Sequence, residues 1–193
     1  MKQLLLTFWI LSLTTFGIAQ DFQFYPLKGD GNISTPPQFI VSESIDGITI
    51  DLELQGFSSK SFSFNGNEYE RIILSDGIGL MDKGLPDIQH IAISVAIPFT
   101  GTTIPVINSS EYTDFPFFNI APSTGDPGLF TQIAYDIYYD TAIYNRDAFY
   151  PGQIVSTDDP YIWADSRGQS LHFYPVQYNP VTHVLRVYTH ISI

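Results

Sequence analysis

The side chains best suited to chemistry in this chain are four histidines and twenty acidic residues, while cysteine is absent. His172, His183 and His190 fall on or beside the last two predicted strands, so two of them could meet across a hairpin and bind a metal ion. Their spacing matches no ligand motif, and His190 is predicted on the polar face of its strand. We therefore expect hydrogen-bonded or solvated histidines, with no metal site and no cofactor.

Paired carboxylates could hydrolyse glycosides or bind calcium, but both activities need a geometry that a sequence does not show. The nearest pairs are Asp158-Asp159, and Asp136 with Asp140. Asp158-Asp159-Pro160 is typical of a turn, and Asp136 and Asp140 suit the polar face of a tyrosine-rich segment. No EF-hand spacing is present. These carboxylates are predicted to be surface charges.

Nucleophilic catalysis has no support in the sequence. Without cysteine no thiolate can form. Serine, histidine and aspartate all occur, yet no G-x-S-x-G elbow is present, and no strand-turn-helix context exists for one. Gly29-Asp30-Gly31 is too short to cradle a phosphate. The chain is predicted to have no catalytic residues and not to be an enzyme by itself.

Tyrosines are the remaining candidates for binding, because sugar rings can stack on exposed aromatic rings. A flat exposed row of three on one sheet would favour a secreted β-sandwich binding module for a carbohydrate or protein ligand. Rings that point into the core would not. The candidates are Tyr135, Tyr138, Tyr139, Tyr144 and Tyr150.

The elements that must position these residues are strands. Apolar and polar residues alternate in residues 48–54, 91–97 and 185–193, which is the pattern of half-buried strands, and Asn65-Gly66 is a hairpin signal. Turn residues also mark 165–168 and 178–182. No helical periodicity is sustained, and only 15% of residues are charged. The predicted fold class is all-β, an antiparallel β-sandwich in which Arg167 and Arg186 pair with acidic neighbours.

The formal net charge of −12 disfavours nucleic acid and anionic membranes as partners. Residues 1–19 have the form of a secretory signal peptide, with Lys2, an apolar run over 4–13 and small residues up to Ala19. That run is too short for a membrane span. We predict export to the periplasm, cell surface or extracellular space, and a single domain over 20–193.

Several spaced blocks resemble the pro-domain of gingipain-type cysteine peptidases. Tyr150-Pro151-Gly152, Arg167-Gly168-Gln169 and residues 177–182 are similar to its end, whereas Lys83-Gly84-Leu85-Pro86 and residues 119–123 are similar to its earlier blocks. The residues assigned to these motifs are Gly84, Pro86, Tyr150, Pro151, Gly152, Arg167, Gly168, Tyr178, Asn179 and Pro180.

The resemblance implies a β-sandwich that precedes a Cys-His catalytic domain in the same precursor chain. It would assist the folding of that domain, which we expect beyond Ile193, and keep it latent during export. Members of the family often belong to bacteria that export through a type IX pathway, some as the sortase-like peptidase of that system. In the Arg- and Lys-cleaving members, a pro-domain loop enters the active-site cleft and a basic side chain fills the specificity pocket.

This sequence departs from the family at that loop. Ungapped matching places Leu129, followed by Phe130, at the basic position, and no Lys or Arg occurs between Lys83 and Arg146. An acidic pocket would leave its buried carboxylate unpaired against Leu129. We predict an inhibitory loop over 123–134 that either suits a pocket for an uncharged side chain or blocks the cleft by bulk. Alternatively, Leu129 and Phe130 pack into the domain's own core. The residues assigned to the inhibitory loop are Gly128, Leu129, Phe130 and Thr131.

Overall fold

The structure, a computed structural model, describes residues 22–29, 35–45, 47–125 and 137–193. The predicted signal peptide and the predicted inhibitory residues Gly128, Leu129, Phe130 and Thr131 lie outside the described residues. The described elements, in chain order, are β1 (Phe22–Pro26), β2 (Gln38–Ser44), β3 (Gly47–Glu53), β4 (Gly56–Phe64), β5 (Asn67–Ile73), β6 (Ile78–Gly79), β7 (Gln89–Ala96), β8 (Ser109–Phe115), α1 (Thr141–Tyr144), β9 (Val155–Thr157), β10 (Tyr161–Trp163), β11 (Ser166–Phe173), β12 (Val176–Asn179) and β13 (Val184–Ser192).

The strands form three sheets, and all the named strand pairs are antiparallel, which confirms the predicted all-β class. The first sheet has the order β1-β4-β5. The second has the order β10-β11-β7-β6, with β9 also paired to β11. The third has the order β12-β13-β3-β2, with β8 also paired to β13.

Strand β13 is the centre of the third sheet. Leu185 pairs with Phe115 of β8 and with Tyr178 of β12, so these two strands lie on opposite sides of β13. Further along, β3 takes the place of β12. A bulge at Thr189 interrupts the predicted alternation. Strands β8, β12 and β3 are therefore all held in place by one strand.

The core lies between the sheets and is continuous. Phe39 of the third sheet contacts Phe173 of the second, with ring centroids 5.6 Å apart. Phe57 of the first sheet meets Phe115 of the third edge to face at 5.2 Å. Such contacts between inner faces are those of a sandwich. Buried residues shared by this core include Leu52, Leu54, Ile72, Ile120, Leu171, Val176, Leu185, Val187 and Ile191.

The hairpin prediction is confirmed, and two other local predictions differ from the structure. The hairpin at Asn65-Gly66 forms as predicted, with both residues at positive φ, 49° and 79°. The turn predicted over 165–168 lies earlier, because Ala164 takes the positive φ of 51° and Ser166 already begins β11. The sequence also showed no helix, but Asp140 begins the single turn α1 by accepting a hydrogen bond from the Ala142 amide at 2.9 Å.

Candidate functional site

The two flanks of residues 126–136 are fixed to the same point of the fold. The Gly84 amide donates to the Ser123 carbonyl at 2.9 Å, and the Ser123 amide donates to the Leu85 carbonyl at 2.7 Å. On the other flank, the Asp140 amide donates to the Gly84 carbonyl at 2.9 Å. Ser123, before the segment, and Asp140, after it, are therefore both hydrogen-bonded to Gly84. We call the residues that meet here, 82–88, 121–125 and 137–140, the loop base.

Gly84 meets two requirements that other residues do not. Its φ is +86°, in the region that side chains with a Cβ rarely adopt. A Cβ at this position would also lie 2.6 Å from Cδ1 of Tyr138 and 3.3 Å from the Asp140 nitrogen. The glycine thus lets the Tyr138 ring lie directly on the main chain. Pro86 continues the contact by forming an isolated antiparallel bridge with Pro122.

Tyrosines fasten the second flank to the core. The Tyr139 and Tyr69 hydroxyls form a hydrogen bond of 2.6 Å, and the Tyr139 ring meets Tyr144 edge to face at 4.8 Å. Tyr144 donates from its hydroxyl to the Ile120 carbonyl at 3.1 Å. Burial is the main cause that raises the pKa of both Tyr139 and Tyr144, so both phenols stay protonated and neutral.

The described tyrosines do not form the flat row that would stack on sugars. Tyr138 lies over Gly84, Tyr139 and Tyr144 are perpendicular to each other, and Tyr150 donates its hydroxyl to Asp82 Oδ2 at 3.2 Å. Tyr135 lies outside the described residues. This geometry removes the observation that would have favoured a carbohydrate-binding module.

The Tyr150-Pro151-Gly152 block connects the third sheet to the loop base. Tyr150 and Tyr178 exchange two main-chain hydrogen bonds of 2.9 Å, while the Tyr150 side chain reaches Asp82. The Tyr150–Pro151 peptide bond is cis, and Gly152 has a φ of +81°. Tyr178 is fully buried and donates from its hydroxyl to the Phe118 carbonyl at 3.1 Å.

Asn179 closes the turn between β12 and β13, ahead of Pro180. Its Oδ1 accepts hydrogen bonds from the amides of Val181 at 3.1 Å and Thr182 at 3.2 Å. Its Nδ2 donates to Asp147 Oδ1 at 2.8 Å. The side chain thereby replaces the main-chain partners that a tight turn leaves unpaired, as the turn prediction expected.

Arg167 and Gly168 lie away from the loop base. Gly168 pairs with Ala96 at the far end of β7, and a Cβ there would lie 2.9 Å from the Tyr161 ring. The Arg167 guanidinium donates to the carbonyls of Pro98 at 2.9 Å and Gly101 at 2.5 Å. The prediction of an acidic partner for Arg167 is therefore wrong, because main-chain carbonyls take that role. These two residues hold the segment after β7.

The predicted acidic partner of Arg186 is confirmed. Its Nε and an Nη atom donate to the two carboxylate oxygens of Asp114, both at 2.8 Å. The guanidinium also lies between two rings, 3.8 Å from the centroid of Tyr112 and 4.1 Å from that of Phe149. Arg186 of β13 thus contacts both β8 and Phe149, the residue before Tyr150.

The histidines meet in a pair that the sequence did not indicate. His172 contacts His90 of β7, with centroids 5.1 Å apart, and not His183 or His190. His183 instead bonds to the Tyr178 hydroxyl at 3.1 Å. Alternation placed His190 on a strand face, but only the sheet order shows which strands are neighbours. Within the described ranges, no group of three or more His, Asp or Glu side chains is placed to hold a metal ion.

One residue of each acidic pair has a structural contact. Asp140 caps α1, and Asp158 bonds to His172 at 2.8 Å. Asp136 lies outside the described residues. In the part of the chain that the structure covers, no helix is long and apolar enough to cross a membrane.

Comparison with known proteins finds relatives that match most of this chain. The family Propeptide_C25 matches residues 34–193. Gingipain R1 of Porphyromonas gingivalis is 37% identical over 125 residues, which are 62% of this chain and 12% of that protein. Gingipain R2 of the same organism is 35% identical over 119 residues, which are 62% of this chain and 16% of that protein. The match thus spans less than a fifth of these relatives.

Two solved structures have the same fold. One is a complex of the pro- and mature domains of RgpB from P. gingivalis, which matches with a TM-score of 0.74 and 28% identity over 82% of this chain and 83% of that one. The other concerns the zymogenic latency of gingipain K from the same organism, with a TM-score of 0.70 and 14% identity over 89% and 95%. The second likeness shows the fold alone. With the family match over residues 34–193, these relations show that the chain belongs to the Propeptide_C25 family.

Proposed function

We propose that this chain is the pro-domain of a gingipain-like cysteine peptidase. It is not catalytic by itself. It keeps the catalytic domain of the same precursor latent by blocking the active-site cleft, and it assists the folding of that domain. Family membership and the RgpB complex of pro- and mature domains support this proposal. The observation that carries it is the loop base, where both flanks of residues 126–136 are bonded to Gly84.

A fixed base favours inhibition for an energetic reason. A segment that enters a cleft loses conformational freedom on binding, and a preorganised segment loses less. Here Ser123 and Asp140 are both held on one glycine, and Tyr139 is hydrogen-bonded to the first sheet. We propose that Gly128, Leu129, Phe130 and Thr131 form the part that enters the cleft, with Leu129 or Phe130 as the anchor.

An apolar anchor implies an apolar specificity pocket or one that accepts uncharged side chains. A carboxylate at the bottom of the pocket would be desolvated with no cation to pair with. In this respect the peptidase would differ from those members of the family that cleave after Arg or Lys.

The family-motif residues have three proposed roles. Gly84, Pro86, Tyr150, Pro151 and Gly152 hold the loop base or connect it to the third sheet. Tyr178, Asn179 and Pro180 fix the hairpin to which Tyr150 is bonded. Arg167 and Gly168 support the opposite end of β7.

We propose that the chain is exported from the cytoplasm. Residues 1–19 would act as the signal peptide and direct the precursor to the periplasm, cell surface or extracellular space. A type IX pathway is the proposed exit for the peptidase, as in many bacteria that carry members of this family.

The experiment that tests the anchor adds the purified chain to the catalytic domain of its own precursor and measures the inhibition constant. Leu129→Asp and Phe130→Asp together should weaken inhibition about a hundredfold or more, because an unpaired charge in a buried interface costs about 2–5 kcal/mol. Ile104→Asp is the matched control, since Ile104 is 81% exposed in a different segment.

Urea unfolding would establish that all the variants fold. Unchanged inhibition by the correctly folded double variant would exclude Leu129 and Phe130 as the anchor. If the wild-type chain did not inhibit at all, the proposed function itself would be wrong.

A further inference from the structure

His90 and His172 form a close pair on the outer face of the second sheet. Ile91 and Phe173 pair across β7 and β11 and contribute to the core, so their neighbours His90 and Tyr174 point the opposite way. The His90 ring lies 5.1 Å from the His172 ring and 5.7 Å from the Tyr174 ring.

The two histidines have different surroundings. His172 has a carboxylate partner, Asp158 Oδ2, 2.8 Å from its Nε2, and that carboxylate is exposed. His90 is 9% exposed, and its Nδ1 is buried without a hydrogen-bond partner among the described residues. A charge on His172 can therefore be balanced, whereas a charge on His90 would be buried beside another cation.

The other groups around His90 do little to balance a positive charge on its ring. On β6, Ile78 pairs with His90 and Gly79 follows, so the described residues of that strand supply no charge. Near β11 the titratable groups are His172 and Tyr174, and on β9 the Ser156 hydroxyl bonds to the Tyr174 hydroxyl at 2.9 Å. Tyr150, which bonds to Asp82, lies close enough to Tyr174 to be affected by it electrostatically.

Burial first, and then the charge of His172, lower the pKa of His90 below its ordinary value of 6.5. Smaller influences from the Ile78 main chain and from Asp158 act in the opposite direction. The unfolded chain therefore binds a proton at His90 more readily than the folded chain does. The stability that neutral His90 contributes is fully present above about pH 6.5 and is lost as the pH falls towards the lowered pKa.

The pair is connected directly to the loop base. Strand β7 begins at Gln89, and two residues earlier the Asp87 amide donates to the Ala121 carbonyl at 2.9 Å. Ile88, fully buried, accepts a hydrogen bond from the Leu80 amide through its carbonyl at 3.1 Å. A disturbance at His90 thus reaches the strand end that holds the first flank of residues 126–136.

We propose that the His90–His172 pair is an acid-sensitive switch in this pro-domain. When both rings are protonated, two cations about 5 Å apart repel each other, and the more buried one, His90, is balanced only weakly by the Asp158 carboxylate, which already pairs with His172. The start of β7 then separates from β6 and β11, and the loop base loosens. Mild acid would thereby release the catalytic domain, a consequence that rests on the proposed function.

The switch itself is tested without the peptidase, by urea unfolding of the chain at about pH 7.5 and about pH 5. For each extra proton bound by the unfolded chain, the unfolding constant rises up to about tenfold per pH unit. We expect the unfolding constant of wild type to rise in this way between the two pH values. For His90→Gln the rise should be smaller by the contribution of about one proton. His190→Gln is the matched control on β13 and should behave as wild type. If His90→Gln is poorly folded, His172→Gln replaces it and should also flatten the dependence, since it removes the facing cation.

An equal pH dependence in wild type, His90→Gln and His172→Gln would overturn the switch. The regulatory consequence is read from the inhibition constant of the cognate catalytic domain at both pH values. Inhibition that weakens in acid for wild type, but less for His90→Gln, supports it. Inhibition with the same pH dependence in both chains overturns the switch alone, whereas no inhibition at any pH overturns the proposed function.

Discussion

At the scale of single residues, Gly84 has the most demanding environment at the loop base. It combines a φ of +86° with the Tyr138 ring, and it bonds to both flanks of residues 126–136. Neither property can be inferred from hydrophobic periodicity, because Gly84 lies in a loop. Only the Lys83-Gly84-Leu85-Pro86 block indicated that the residue is special, and it did so by resemblance.

Gly84→Ala should lower the free energy of unfolding and also weaken inhibition. The left-handed conformation alone costs alanine about 1–2 kcal/mol. The added Cβ would also displace Tyr138 and the second flank, so we expect a total of about 2–3 kcal/mol in urea unfolding. Gly66→Ala is the matched control, with a φ of +79° and no atom within 4 Å of the new Cβ. Equal losses of stability in the two variants, with inhibition intact, would contradict the role given to Gly84.

At the scale of elements, three long strands and one hairpin were predictable. Alternation in residues 48–54, 91–97 and 185–193 corresponds to β3, β7 and β13, and Asn65-Gly66 forms the predicted hairpin. These signals are local, since each depends on neighbours within a few residues. The division into three sheets was not predictable, because pairing between β13 and both β3 and β8 depends on contacts far apart in sequence.

The same limit explains the residues that sequence reasoning missed. His90 meets His172 only because β7 and β11 are neighbours. Arg167 meets the carbonyls of Pro98 and Gly101 because the segment after β7 turns back over β11. Charge alone suggested a carboxylate partner, but the fold supplied main-chain oxygens.

The junction of β8 and β13 should depend on the shape of Arg186 as well as its charge. Arg186→Lys keeps the charge but loses the two-pronged contact with Asp114 and the stacking between Tyr112 and Phe149. We expect a loss of about 1–2 kcal/mol in the free energy of unfolding. The control is Arg71→Lys, where a one-pronged contact of 3.3 Å to Asp87 and a ring contact of 5.5 Å to Phe62 involve a side chain that is 57% exposed, so the loss should stay below about 0.5 kcal/mol. Equal effects would show that charge alone matters at Arg186.

At the scale of the whole molecule, the sandwich and residues 126–136 should be separable. Both flanks are held on Gly84, so a short Gly-Ser linker in place of these residues can join them without moving Ser123 or Asp140. Shortening a loop changes the closure entropy only slowly with length. We expect the urea midpoint to be preserved while inhibition of the catalytic domain is lost.

A matched replacement should behave in the opposite way. Converting residues 99–105 to Gly and Ser, with Gly at position 103, removes the Thr103 hydroxyl that donates to Gln169 Oε1 at 2.5 Å and the conformational restriction of Pro105. This variant should lose stability and keep its anchor residues. A large loss of stability from replacing 126–136 would instead show that Leu129 and Phe130 pack into the domain's own core.

The place of β13 in the chain sets the timing of folding during synthesis. A polypeptide emerges with its N-terminus first. Strands β3 and β8 therefore cannot pair with β13 until residues 184–192 have been synthesised. The β2–β3 and β4–β5 hairpins can pair earlier, but the third sheet stays incomplete, since Leu52 pairs with Ile191 of β13. For a chain that is exported as proposed, this topology leaves the third sheet incomplete until residues 184–192 have appeared, so the chain can remain unfolded for a secretion channel, and the proposed inhibitor forms only when β13 pairs.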